Sequence, residues 1–167
     1  LAVEYAGPYT LFPTPGYGRS KPSDWDISGA HMAERCALFM IIALGEAVLL
    51  TGATFADLEC TTPTWIAFIA SFIGSATMWW IYFDIGAKRG SQLIAESDNV
   101  GLLARTAYTY LHIPIVAGVV VTAVADEKML AHPVGHSDLS FILVAIGGPM
   151  LFLFGNQMFK WVTSGAR

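Results

Sequence analysis

The stretch AHMAERCALFMIIALGEAVLLTGATFADL, from Ala30 to Leu58, is apolar enough to enter a membrane and yet carries charge. Between Cys36 and Ala56 the only charged residue is Glu46. An α-helix needs ~20 mostly apolar residues to cross the ~30 Å hydrocarbon layer of a bilayer, and this stretch is long enough. It therefore predicts a transmembrane helix with a carboxyl group near its middle.

The composition of the whole chain indicates the same class of protein. Of the 167 residues 54% are hydrophobic and 13% are charged, whereas soluble domains carry ~25% charged residues. Three further runs without Asp, Glu, Lys or Arg are long enough to span a bilayer: Thr64 to Phe83, Thr106 to Ala125, and Leu139 to Phe159. The predicted fold is therefore all-α, a polytopic transmembrane helix bundle with four full spans.

The chain is expected to have two parts. Residues 1–28 are interpreted as the tail of a preceding helix, stopped at Pro8, and a Pro/Gly-rich loop that ends with Asp26 or Ser28 as a helix N-cap. Residues 29–167 are interpreted as the four-helix transmembrane region, with spans at about 31–56, 64–84, 105–125 and 138–160. Because no initiating Met or signal peptide is visible, we interpret the chain as the C-terminal part of a larger protein whose N-terminal helices are its partners.

Basic residues predict the orientation of the bundle. Of the nine Lys and Arg residues only Lys128 lies in the two loops assigned to the other side, Asp57–Pro63 and Asp126–Asp138. Cytoplasmic loops are enriched in Lys and Arg, so the basic side is predicted to be cytoplasmic and the protein to be a multi-pass protein of the bacterial inner membrane. The lipid bilayer is the expected partner, and nothing in the sequence indicates a nucleic acid. Aromatic residues near this border are predicted to lie at headgroup level: Trp79, Trp80, Tyr82, Tyr108, Tyr110 and Trp161.

Several segments resemble one known family. HMAERCALFMIIALGEAVL, from His31 to Leu49, resembles the H-x-x-E-R-x-x-L-F-x-I-I-x-L-G-E-x-V/I-L signature of the bacterial low temperature requirement A (LtrA) family. WWIYFD, YTYLHIPIVAGVV and GGPMLFLFGNQMFK also resemble that family. The resemblance implies a polytopic inner-membrane protein with this motif in its C-terminal half, and a further acidic motif in an N-terminal half. The motif residues with polar or special character are His31, Glu34, Arg35, Gly45 and Glu46.

Helix geometry separates the motif residues. Arg35 and Glu46 are eleven residues apart, which puts them within ~20° of each other around the helix and ~16 Å apart along it. His31 lies on the same side, and Glu34 points ~100° away from Arg35. Arg35 and Glu46 are too far apart for an ion pair, so each is expected to meet partners on other helices. His31, Glu34 and Arg35 lie near the membrane surface, where they can reach the headgroups or pair at i,i+3 and i,i+4.

Glu46 is the strongest candidate for a functional residue. A charge at mid-membrane costs ~3 kcal/mol, so this carboxyl group is expected to face the protein interior or to be neutral. Such a group suits a proton or cation site, although an uncharged carboxyl group that only joins helices by a hydrogen bond is the alternative. His112 is a second candidate, with a satisfied interhelical hydrogen bond as its alternative. Gly147, Gly148 and Pro149 are expected to kink or break the fourth span at a similar depth, as in many transporter sites.

Three classes of function remain open. The first is a transporter or an ion- or proton-conducting protein with Glu46 as its site. The second is a structural or assembly protein whose buried polar residues only specify helix packing, and the third is a membrane-embedded enzyme completed by the N-terminal half. No Gly-x-Ser-x-Gly, Walker A or zincin motif supports the enzyme. The first class is favoured because of the acid predicted at mid-membrane, Glu46. No catalytic residue, metal site or cofactor is predicted, and a homo-oligomer is left open.

Overall fold

The computed structural model of the protein describes residues 2–21, 28–87, 94, 100–134 and 138–164, with the backbone alone for residues 2–5, 85–87 and 164. The helices are α1 (Ala2–Thr10), α2 (Gly29–Ala56), α3 (Thr62–Trp80), α4 (Val100–Leu103), α5 (His112–Ala131) and α6 (Leu139–Ser164). A π-helical segment, Ile81–Ala87, continues α3, and another, Ala104–Tyr110, joins α4 to α5. The described residues contain no β-strand, only an isolated bridge between Thr14 and Gly18.

Four helical segments in the described part of the chain are long and apolar enough to cross a membrane: Gly29–Ala56, Thr62–Asp84, Val100–Ala131 and Leu139–Thr163. The third contains α4, the second π-helical segment and α5 in one continuous run. The prediction of an all-α bundle with four spans is confirmed. The protein is therefore a multi-pass membrane protein.

Helix α5 lies at the centre of the bundle, where it packs against α6, α2 and α3. Its buried side chains recur every three or four residues, as one face of a helix requires. They include Ile115, Val119 and Leu130, none of which is more than 1% exposed. The opposite surfaces of α2, α3 and α6 expose large apolar side chains, such as Ile42, Ile66 and Leu143. Apolar side chains on the outside of the bundle suit a protein that is surrounded by lipid chains and not by water.

The helix ends follow the expected local chemistry, except that two helices are longer than predicted. The hydroxyl of Ser28 caps α2 by accepting from the His31 N–H at 3.4 Å, and Asp26, the other predicted cap, lies outside the described residues. Helix α1 runs through Pro8 to Thr10, two residues beyond the predicted stop. Helix α5 continues to Ala131, so the prediction that Asp126 begins an outer loop is wrong.

Two further predictions need correction. The sequence predicts that the fourth span kinks or breaks at Gly147, Gly148 and Pro149; helix α6 is continuous through them, so the break is wrong. Pro149 lacks an N–H and removes one helical hydrogen bond, which the surrounding turns tolerate. Among the aromatic residues, Trp79, Trp80 and Trp161 are exposed as expected, but Tyr82 and Tyr108 are buried at 4% and 5% exposure. They pack inside the bundle instead of facing the headgroups.

Candidate functional site

The motif helix α2 has two faces of opposite character. One face packs into the bundle through Met40, Leu44 and Ala47. Glu46 lies ~100° from Ala47 and ~160° from Leu44 around the helix axis, and so points away from that packing. The charged side chains of the motif are all exposed: His31, Glu34, Arg35 and Glu46. The motif charges therefore lie on the surface of the described bundle, not in its interior.

The first turn of α2 carries an exposed pair. His31 Nδ1 lies 3.8 Å from Glu34 Oε2, with both side chains more than two-thirds exposed. This confirms the predicted i,i+3 pairing, which contributes little at a solvated surface. In the parts of the chain that the structure describes, no group of three or more His, Cys, Asp or Glu side chains could hold a metal ion.

His112, in contrast, lies in the core with both ring nitrogens engaged. Its Nδ1 lies 3.0 Å from the carbonyl oxygen of Ala107, and its Nε2 lies 2.9 Å from the hydroxyl oxygen of Tyr82. Because a carbonyl can only accept, Nδ1–H donates to Ala107 and Nε2 accepts from the Tyr82 hydroxyl. The ring stacks on Tyr108 with centroids 5.5 Å apart. The interpretation of His112 as a satisfied interhelical hydrogen bond is confirmed.

The two π-helical segments position this aromatic cluster. Tyr82 lies on the segment Ile81–Ala87 and Tyr108 on the segment Ala104–Tyr110. In the second segment the Leu111 N–H donates to the Thr106 carbonyl, five residues back. In a regular α-helix the Leu111 N–H would donate to the Ala107 carbonyl. Here that carbonyl is left free and accepts from His112 Nδ1–H instead. Local π-helical turns often occur at functional sites, and the buried Tyr108 hydroxyl has no hydrogen-bond partner.

Glu46 and His112 do not meet. Cys36 Sγ lies 3.5 Å from the Tyr108 carbonyl oxygen, which sets the relative level of α2 and the third span. His112 is four residues after Tyr108, or ~6 Å along the axis, and Glu46 is ten residues after Cys36, or ~15 Å in the same direction. Glu46 also lies on the side of α2 that faces away from the bundle. The described residues therefore do not form the predicted cavity shared by Glu46, His112 and the Gly147–Pro149 turn.

The glycines of α6 serve close packing. A Cβ atom at Gly148 would lie 2.6 Å from Thr122 Oγ1, and one at Gly155 would lie 2.7 Å from Ile115 Cγ1. On α5, a Cβ atom at Gly118 would collide with the backbone nitrogen of Phe152. The α5 and α6 backbones thus touch at three levels, as small residues allow in membrane helices. Gly148 is part of this contact, whereas Gly147 faces open space.

The structure also shows a polar cluster, near the C-terminal end of α5, that sequence reasoning missed. Asp126 of α5 is only 8% exposed, and its carboxyl group interacts with the Ser71 side chain of α3. Ser71 Oγ is itself fully buried and lies beyond hydrogen-bonding distance of any partner. Ser71 and Ser75 of α3 and Thr51 of α2 line a cavity of about 10 Å³ between these two helices. Helical spacing was the available signal, because Thr122, Asp126 and Leu130 continue the buried face of α5.

The described residues also form an apolar groove of about 510 Å³ on the surface between α2 and α3. It is lined by apolar residues of both helices and by the motif residue Gly45, where an added Cβ atom would meet nothing within 4 Å. The groove is therefore a surface on which lipid chains or another helix can pack.

Comparison with known proteins gives one family. The family model described as bacterial low temperature requirement A protein (LtrA) matches residues 1–167. An uncharacterized protein of Rhizobium meliloti (strain 1021) is 42% identical over 165 residues, covering 98% of this chain and 40% of the relative. The chain thus spans about two-fifths of the length of that relative. No solved structure matches the chain significantly.

Proposed function

This chain belongs to the bacterial LtrA family of multi-pass membrane proteins, and from that premise we propose that the whole protein transports or conducts a proton or a cation across the bacterial inner membrane. Glu46 is the proposed binding group. The proposal concerns the whole protein, since the related protein is much longer than this chain.

The position of Glu46 is the observation that carries the proposal. Its side chain is exposed on the described bundle, near the middle of a span that crosses a membrane. A carboxylate that faced lipid there would cost ~3 kcal/mol. In the proposal, further helices of the whole protein cover this face of α2 and enclose Glu46 in a polar cavity between them and the bundle.

This arrangement replaces the cavity that the sequence predicted inside the four-helix region. His112 is not part of it, because its ring nitrogens are both engaged by Tyr82 and Ala107. Arg35 lies ~16 Å closer to the basic end of the same face. Because the positive charge of Arg35 repels cations, Glu46 alone is the proposed binding group on this face of α2.

The test is a flux assay on the whole protein in liposomes. Glu46→Gln keeps the size and hydrogen bonding of the side chain but cannot release a proton. We expect it to fold and to lower proton or cation flux at least ten-fold. Leu49→Gln is the matched control, because it adds the same amide on the same exposed side and leaves Glu46 in place; its flux should stay within about two-fold of the wild type.

Two results would contradict the proposal. One is a Glu46→Gln variant with wild-type flux. The other is a folded wild-type protein that conducts none of H⁺, Na⁺ or K⁺ above empty liposomes.

A structural or assembly role is the second candidate, and a specific observation favours it. Several buried polar side chains hydrogen-bond to carbonyls of their own helix. Thr51 donates to Ala47 at 2.8 Å, and Asn156 donates to Phe152 at 2.9 Å. Groups satisfied in this way can serve packing alone. Under this alternative Glu46→Leu is tolerated without loss of activity, whereas the transport proposal expects it to be as inactive as Glu46→Gln.

A further inference from the structure

Asp126 lies well inside the end of the bundle that the C-terminus of α5 forms. It is five residues before the end of α5, or ~8 Å along the axis, and the neighbouring Ser71 is nine residues into α3, or ~13 Å. The side chain is buried at 8% exposure. A carboxyl group at this depth is not a surface acid, and its environment has to offset the cost of burial.

No cationic side chain in the described structure offsets that cost. The charged neighbours of Asp126 on its own helix, Glu127 and Lys128, are both exposed. No described ion pair involves Asp126. The side chains that face this region from α2 and α3 are hydroxyl-bearing or apolar. Buried charges in proteins are paired or bind cations, so a charged Asp126 needs a cation that the chain itself does not supply.

Oxygen atoms able to bind a cation line the small cavity between α2 and α3, and Ser71 links this cavity to the Asp126 carboxyl group. Ser71 Oγ is 2% exposed and has no hydrogen-bond partner. The Thr51 hydroxyl donates its hydrogen to the Ala47 carbonyl at 2.8 Å, so its lone pairs stay free to accept or to ligate. The cavity of about 10 Å³ is close to the room that one water molecule needs.

We propose that Asp126 and Ser71, together with this cavity, form a binding site for a small monovalent cation such as Na⁺. Asp126 supplies the single negative charge, and the hydroxyl groups of Ser71, Thr51 and Ser75 supply further oxygen atoms. Hard cations prefer such oxygen ligands, and sites for divalent cations generally recruit more carboxylates than one. The site is distinct from Glu46 and does not rest on the transport proposal.

The experiment measures equilibrium binding of ²²Na⁺ to the purified whole protein in detergent, with choline chloride holding the ionic strength constant. Asp126→Asn should weaken binding at this site at least ten-fold, and Ser71→Ala should weaken it several-fold. Glu127→Gln is the matched control, because it removes the neighbouring exposed carboxylate and should bind as the wild type does. The same variants are also measured in a Glu46→Gln background, where Na⁺ binding reflects the Asp126 site alone.

The outcomes separate the two proposals. The Asp126 site is supported if Glu46→Gln still binds Na⁺ and the double variant Glu46→Gln/Asp126→Asn does not. This holds whatever the flux assay gives. Wild-type binding in Asp126→Asn overturns it, as does a wild-type protein with no saturable binding of Na⁺, Li⁺ or K⁺. If Asp126→Asn does not fold, Ser71→Ala decides, because it removes only a hydroxyl group without a partner.

Discussion

The α5–α6 and α2–α3 interfaces are both built from small side chains, but they leave very different amounts of space. Between α5 and α6, Gly118, Gly148 and Gly155 bring the two backbones into contact. Between α2 and α3, the small residues are Thr51, Ser71 and Ser75, and a cavity of about 10 Å³ remains beside an open groove of about 510 Å³.

The difference follows from what the small residues carry. A glycine lets a neighbouring backbone approach until no gap remains. A serine or threonine keeps a Cβ atom and a hydroxyl group between the helices, and the hydroxyl needs a partner. The α5–α6 half is therefore closed and structural, whereas the α2–α3 half keeps space and free oxygen atoms, which a ligand requires.

The largest expected effect is at the closed interface. Gly118→Ala would place a Cβ atom 2.7 Å from Phe152 Cα, and the backbone can only yield by moving α6. Overpacking of this kind costs ~3 kcal/mol, the upper end of the usual range, because backbone and not a flexible side chain has to move. Gly147→Ala is the control, because its Cβ atom would meet open space and both changes alter helix propensity equally. Thermal unfolding in detergent should show a clearly lower Tm for Gly118→Ala alone, and equal Tm values would refute the close contact.

A smaller effect is expected at the aromatic cluster. Tyr82→Phe removes the donor to His112 Nε2 and leaves a buried nitrogen without a partner, at a cost of ~1–3 kcal/mol. Tyr17→Phe is the control, because Tyr17 is 92% exposed.

In the open α2–α3 half, Ser71→Ala removes a hydroxyl without a partner and should leave the Tm unchanged. A Tm loss for Ser71→Ala as large as that for Tyr82→Phe would break the distinction between the two halves.

The smallest effect is at the start of α6 and appears only in acid. Asp138 accepts from the Ser140 hydroxyl at 2.7 Å and from the Phe141 N–H at 2.9 Å. These bonds lower the pKa of Asp138 below its usual range. A lowered pKa in the folded state means that the charged carboxylate stabilises the fold above its unfolded pKa of ~3.9, and that this is lost as the pH falls toward the folded pKa.

The measurement compares the Tm of the wild type and Asp138→Asn from pH 6 to pH 3. The wild type should be slightly more stable at pH 6, and the gap should close below about pH 4. A gap for Asp138→Asn that widens in acid would show that the cap works through something other than its charge.

The sequence by itself determined the class of protein and its helices. Runs of uncharged residues predict membrane spans because burying a charge in hydrocarbon is costly and helical length must match the bilayer. The motif from His31 to Leu49 also indicated the family that the family model matches. The use of Ser28 as a helix cap followed from local chemistry, because the cap needs only the three residues that follow it.

Only the tertiary structure decided which polar groups are buried. Glu46 and Asp126 are both acids in or beside apolar runs, yet the first is exposed and the second is buried against Ser71. Gly147–Pro149 predicted a kink or break from the sequence, but α6 is continuous there and Gly148 packs closely on Thr122. Helical periodicity gives the relative directions of side chains on one helix. It cannot say which direction another helix will cover, because that depends on contacts between residues far apart in the chain.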